Sequence, residues 1–95
     1  MTVKIIILRT ITPEEEPQVR PLLKLLHSLA LDHEGYVSGE SLTSWDDPNE
    51  CLVISTWKSK EDWEAFIREP KVLEAHNAVD AILAKNTMYQ VYYHG

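Results

Sequence analysis

The stretch Glu50-Cys51-Leu52-Val53-Ile54-Ser55-Thr56-Trp57-Lys58-Ser59-Lys60-Glu61-Asp62-Trp63-Glu64-Ala65-Phe66-Ile67 contains two structural periods that meet at one residue. Cys51, Leu52, Val53 and Ile54 are consecutive and apolar, so a strand over Glu50–Lys58 is apolar on both faces. Ser59-Lys60-Glu61-Asp62 then resembles a capping box, with Ser59 as the cap and Asp62 reaching back. Trp63, Phe66 and Ile67 form the single apolar face of a short helix. Strands apolar on both faces, feeding helices apolar on one, indicate a sheet with helices packed against it.

Upstream, Asp46-Asp47-Pro48-Asn49 is a turn signal. It joins a polar strand over Tyr36–Trp45 to the Glu50 strand as a hairpin. Val3–Ile11 is rich in β-branched residues and reads as another strand, with Ile5 and Ile7 on one face and Ile6 and Leu8 on the other. Glu14, Glu15 and Glu16 suit a helix N-terminus. Pro17 and Pro21 lack an N–H and belong in its first turns. Val19, Leu22, Leu26, Leu29 and His33 continue as a stripe, and Gly35 is the expected stop. Downstream, Pro70 ends the short helix and opens the next. There Val72, His76, Val79 and Leu83 share a face, and Thr87–Tyr93 is a closing strand rich in tyrosine. The result is one domain over residues 1–95, α+β, with the ferredoxin-like βαββαβ order and an antiparallel sheet. Right-handed crossovers place all helices on one sheet face. The other face, also apolar, is expected to be buried by a second copy in a homodimer.

Nine Lys and Arg stand against fifteen Asp and Glu, a formal net charge of −6. That balance argues against nucleic acid and anionic membranes as partners. No apolar run approaches the ~18 residues of a membrane span. The Ile5–Leu8 run is too short for a signal-peptide core, and cytoplasmic placement is expected. Cys51 is the single cysteine, which excludes an intrachain disulfide, and its strand pattern makes it a small hydrophobe. His27 and His33 are six residues apart, which separates them around a helix, and no CxxC, HExxH or glycine-rich phosphate loop is present, so no metal site is expected.

The run Ile54–Phe66, with Val72-Leu73-Glu74-Ala75-His76 after it and Glu34-Gly35-Tyr36-Val37 before it, resembles the antibiotic biosynthesis monooxygenase domain, a dimeric α/β-barrel family. The resemblance spans essentially the whole chain and is most specific from Trp57 to His76. It implies a homodimer with two sheets face to face and a pocket in each protomer between sheet and helices. Its members include cofactor-independent oxygenases of aromatic quinols, haem-degrading monooxygenases and an isomerase of a phosphorylated sugar, so the fold does not fix the chemistry.

His76 lies on the apolar stripe of its helix and should point inward, where a histidine can serve as a base, a donor or an iron ligand. In the haem-degrading branch a histidine here is similar to the axial ligand. That branch also has a Trp ten residues earlier, where this chain has Phe66, and an Asn in the first strand, where this chain has none. Haem is therefore disfavoured and no cofactor is expected. Trp57 matches an aromatic residue of the quinol-oxygenase branch, which has an Asn where this chain has Val53 and a Tyr where it has Trp63. The resemblance thus implies His76 as the catalytic residue of an oxidoreductase, and Trp57, Trp63, Phe66, Val53 and Tyr36 as a substrate pocket. Tyr89, Tyr92 or Tyr93 could also orient a hydroxyl. Plain core packing is the competing account of Trp57 and Trp63. The expected function is cofactor-independent monooxygenation of a small aromatic or quinol-like compound. The alternatives are a small-molecule-binding dimer without catalysis and a proton-transfer isomerase. The isomerase would need an anionic-group anchor among Lys4, Arg9, Lys58, Arg68 and Lys71, none of which a motif places.

Overall fold

Strand β1 (Val3–Thr10) runs between β3 (Glu50–Trp57) and β4 (Tyr89–Tyr93), antiparallel to both, and β2 (Tyr36–Thr43) pairs with the far side of β3. The sheet order is therefore β2-β3-β1-β4. Helices α1 (Glu16–Leu31), α2 (Lys60–Ile67) and α3 (Pro70–Leu83) complete the order β-α-β-β-α-α-β of the ferredoxin-like α+β fold. These elements come from a computed structural model, which describes residues 1–94.

The period of two sorts β1 cleanly. Val3, Ile5, Ile7 and Arg9 are buried on the helix side, whereas Lys4, Leu8 and Thr10 are exposed on the other. Val19, Leu26 and Ala30 of α1 and Val72, Ala75 and Val79 of α3 close over that inner side. Within one chain the outer face stays open, and its apolar residues are left half-buried or exposed. Ile6 faces Ile54 and Leu8 faces Leu52, while Leu8 is 55% exposed.

Several boundaries differ from the sequence reading. Helix α1 retains Pro21 in its interior and ends at Leu31, not Gly35. Gly35 instead turns the chain into β2 at φ 93°, where a Cβ would run into the side chain of Asp62, so only glycine suits it. Strand β2 stops at Thr43, and Trp45 lies in the hairpin turn, 98% exposed. The capping box is half made: Ser59 Oγ accepts the Asp62 N–H at 3.1 Å, but Asp62 does not reach back. Asp is shorter than the Glu that closes such a box.

Candidate functional site

The inner sheet face and the helices enclose a cavity of about 540 Å³. That volume lies inside the ~300–1,000 Å³ span of small-molecule pockets. Strand alternation supplies its floor, because Ile7 and Arg9 of β1 and Cys51, Val53, Ser55 and Trp57 of β3 all point inward. Leu26 and His27 of α1, Trp63 and Phe66 of α2, and His76 of α3 supply its walls. The register pairs Arg9 directly with Cys51 and Tyr36 with Trp57.

One wall is a packed aromatic cluster. Trp57 lies 4.9 Å from Phe66 and 5.3 Å from Tyr36, centroid to centroid. Trp63 meets Tyr89 edge-on at 5.1 Å, and Tyr89 meets His76 at 5.9 Å. Such contacts hold the rings in defined orientations beyond simple area burial. The Trp57 indole N–H donates to Ser55 Oγ at 3.1 Å, which satisfies a nearly buried donor. His33 meets Trp57 and Phe66 edge-on, with Nε2 3.6 Å from Glu69.

Against this apolar wall stand two buried polar side chains. Arg9 is 7% exposed and His76 9%. Arg9 Nε and Nη2 and His76 Nδ1 have no hydrogen-bond partner among the described residues. Buried polar atoms are nearly always partnered, so three orphans around one cavity single it out. Burial and the neighbouring Arg9 charge pull the His76 pKa from 6.5 to about 4, so its imidazole is neutral near pH 7. Burial also lowers the Arg9 pKa, though a guanidinium stays charged at any working pH. Burial raises the Cys51 thiol and Tyr89 phenol above their usual ranges, which keeps both protonated. Tyr36 shifts up for the same reason. Clustered perturbed groups in a cleft mark a candidate functional site.

His76, Trp57, Trp63, Phe66, Val53 and Tyr36 all line this one cavity. Tyr89 joins them, but Tyr92 and Tyr93 do not; both are exposed, which removes them as pocket hydroxyls. Of the five cationic anchors considered, Arg9 alone lines the cavity. Lys4 lies on the outer face, donating to Thr56 Oγ1 at 2.8 Å. The sequence reading left Arg9 without a place. Its signal was the alternation itself, since Arg9 continues the face of Ile5 and Ile7. No group of three or more His, Cys, Asp or Glu that could hold a metal exists among the described residues. No helix among them is long and apolar enough to cross a membrane.

Solved structures share this architecture at low identity. A conserved protein from Methanosarcina mazei Go1 superposes with a TM-score of 0.90 at 19% identity, covering 100% of this chain and 94% of that one. Rv0793 from Mycobacterium tuberculosis gives 0.85 at 18%, over 99% and 95% of the two chains. SnoaB, a cofactor-independent oxygenase from Streptomyces nogalater, gives 0.82 at 16%, over 99% and 93%. At such identities the likeness establishes the fold alone. No curated protein matches the sequence significantly. The family model for antibiotic biosynthesis monooxygenase matches residues 2–78, which takes in every sheet and helix residue around the cavity except α3's last turns and β4. On that match, and with the fold agreeing throughout, the chain belongs to the antibiotic biosynthesis monooxygenase family.

Proposed function

We propose that this chain is a cofactor-independent monooxygenase of a small aromatic or quinol-like compound, bound in the cavity between sheet and helices. The observation that carries the reading is that an unpartnered, neutral His76 lines the same cavity of about 540 Å³ as Trp57, Trp63, Phe66, Val53 and Tyr36. Such a lining fits a flat, apolar substrate with few polar handles. In this chemistry the substrate is its own reductant. Removing a proton from an activated CH₂, or from a hydroxyl conjugated with it, leaves an electron-rich carbanion or enolate that reduces dioxygen. One oxygen atom ends as the new carbonyl, the other leaves as water with the two hydrogens of the former CH₂, and the substrate loses four electrons. The protein must take up the first proton, hold the ring and exclude bulk water. His76 is the group for that proton, since its imidazole is neutral, lines the cavity and has an unpartnered Nδ1.

The active form in this reading is a homodimer. The outer sheet face presents Ile6, Leu8, Leu42, Leu52 and Ile54 in adjacent register, with Leu8 and Leu42 well exposed. Apolar patches on this scale mark interfaces. Light scattering should report twice the 10.9 kDa chain mass; a monomer at micromolar concentration would remove the dimer.

One observation favours a second reading, binding without turnover. A histidine with a pKa near 4 is a weak base at neutral pH unless the ligand raises it. Oxygen uptake separates the two. With reduced naphthoquinols and anthrones, corrected for autoxidation, saturable uptake lost in His76→Ala is the expected result. Ligand-induced stabilisation with no uptake across the panel would overturn turnover in favour of binding.

A further inference from the structure

The geometry points to an aromatic carboxylate as the ligand, its carboxylate on the buried, unpartnered Arg9 guanidinium and its ring against the aromatic wall. This rests on the reading of the cavity as the ligand site, but not on oxygenation.

A comparison within the molecule defines the missing partner. Arg20 on the surface of α1 uses the same Nε and Nη2 edge to hold both oxygens of Glu16, at 2.7 and 2.6 Å. On Arg9, a residue that lines the cavity, that edge is buried and has no acceptor among the described residues. Two parallel N–H donors in a plane match a carboxylate, which is why bidentate arginine pairs are both strong and directional.

The neighbours of Arg9 do not supply that acceptor. None of Cys51 on β3, Tyr89 on β4 or His76 on α3 accepts from Arg9 Nε or Nη2, and burial keeps the first two protonated and His76 neutral, so none offers a countercharge. Asp80 on α3 is close enough to act on Arg9 through its field, yet it forms no ion pair with it. Its Oδ1 is instead engaged by the Thr87 N–H at 3.1 Å and by the Thr87 hydroxyl. Arg9 is also the one buried cation lining the cavity among the described residues, because Arg20 and Lys24 are exposed. A single buried positive charge suits a monoanion better than a phosphate dianion.

Docking has a consequence for His76. Arg9 is one of the causes that hold its pKa down. A bound carboxylate cancels much of that field, so His76 becomes a better base when the ligand is present.

The test is calorimetric titration under nitrogen with three probes of one ring system: 2-naphthoate, 2-naphthamide and 2-naphthyl phosphate. Wild type should prefer naphthoate over naphthamide by about 10- to 100-fold, the range of charge-assisted hydrogen bonds. Arg9→Met should erase that preference, and Arg9→Lys, which keeps the charge but not the planar edge, should keep part of it. The His76 ring resonances should titrate at higher pH with naphthoate bound, and not with naphthamide. Should Arg9→Met fail to fold, the wild-type series, Arg9→Lys and the His76 titration decide the matter. Equal binding of acid and amide, a preference that survives Arg9→Met, tighter binding of the phosphate ester, or no binding of any probe would each overturn the assignment. Because no oxygen is consumed, quinol turnover can fail while the carboxylate preference holds, and the reverse.

Discussion

Leu8 and Arg9 are adjacent on β1 and lie on opposite faces of the sheet, each where the other's polarity would be expected. Leu8 is 55% exposed on the outer face, whereas Arg9 is 7% exposed on the inner one. The outer face carries apolar side chains that water penalises. The inner face carries a charge that burial penalises. The two mismatches have different remedies. A flat apolar face is relieved by a second flat apolar face, over a broad area and without directional bonds. A buried guanidinium is relieved only by an acceptor at two defined points. One face therefore points to a protein surface and the other to a small molecule.

Substitutions can break or sharpen that contrast. The largest effect is expected at the apolar centre of the inner face. Trp57 is 1% exposed and contacts Phe66, Tyr36 and His33, so Trp57→Ala should destabilise by about 3–5 kcal/mol in urea unfolding. A loss under about 1 kcal/mol would mean that the aromatic wall is not packed as described.

The next effect is on pH dependence. The folded pKa of His76, about 4, lies below its ordinary 6.5, so the unfolded chain binds more protons between those values. Its contribution is fully present above pH 6.5 and disappears as pH falls toward 4, a loss of about 3 kcal/mol. Urea midpoints at several pH values measure it, and His76→Gln should flatten the slope relative to wild type. An unchanged slope would place His76 in contact with water.

Arg9→Met should act with the opposite sign. Removing an unpartnered buried charge while keeping an apolar stem should stabilise the fold by about 1–3 kcal/mol. Thermal unfolding checks it, and destabilisation would show that Arg9 is bonded within the protein. The smallest change in chain stability belongs to the outer face. Leu8→Glu should halve the mass seen by light scattering, while the isolated fold shifts by about 0.5 kcal/mol or less, as exposed substitutions do. Retention of the dimer would move the interface off this face.

Much of this architecture was legible in the chain. The run Cys51–Ile54, the Asp46–Asn49 turn, the Ser59 cap and the two helical stripes gave the element order, and the hairpin falls where the turn residues put it. Those signals are local: a turn, a cap or a period needs only near neighbours. Gly35 was misplaced as a helix stop because a glycine before a strand signals equally well a left-handed turn, and only the side chain of Asp62 from α2 decides which. Trp45 read as part of a strand from its ring, yet the turn that follows claims it. In the site, His76 was legible from its helical stripe and Arg9 was not. An arginine closing an apolar strand reads as the strand's exit into solvent, and its burial depends on α1 and α3 lying across it.

The sequence by itself determined the βαββαβ order, the inward stripe that includes His76, and membership of the family over residues 2–78, because periodicity and motif are properties of the chain. Only the tertiary structure decided that Arg9, from the first strand, and His76, from the last helix, face one cavity with the Nε–Nη2 edge and Nδ1 unpartnered. Whether a polar group is satisfied depends on every element that surrounds it, and those elements come from all parts of the chain.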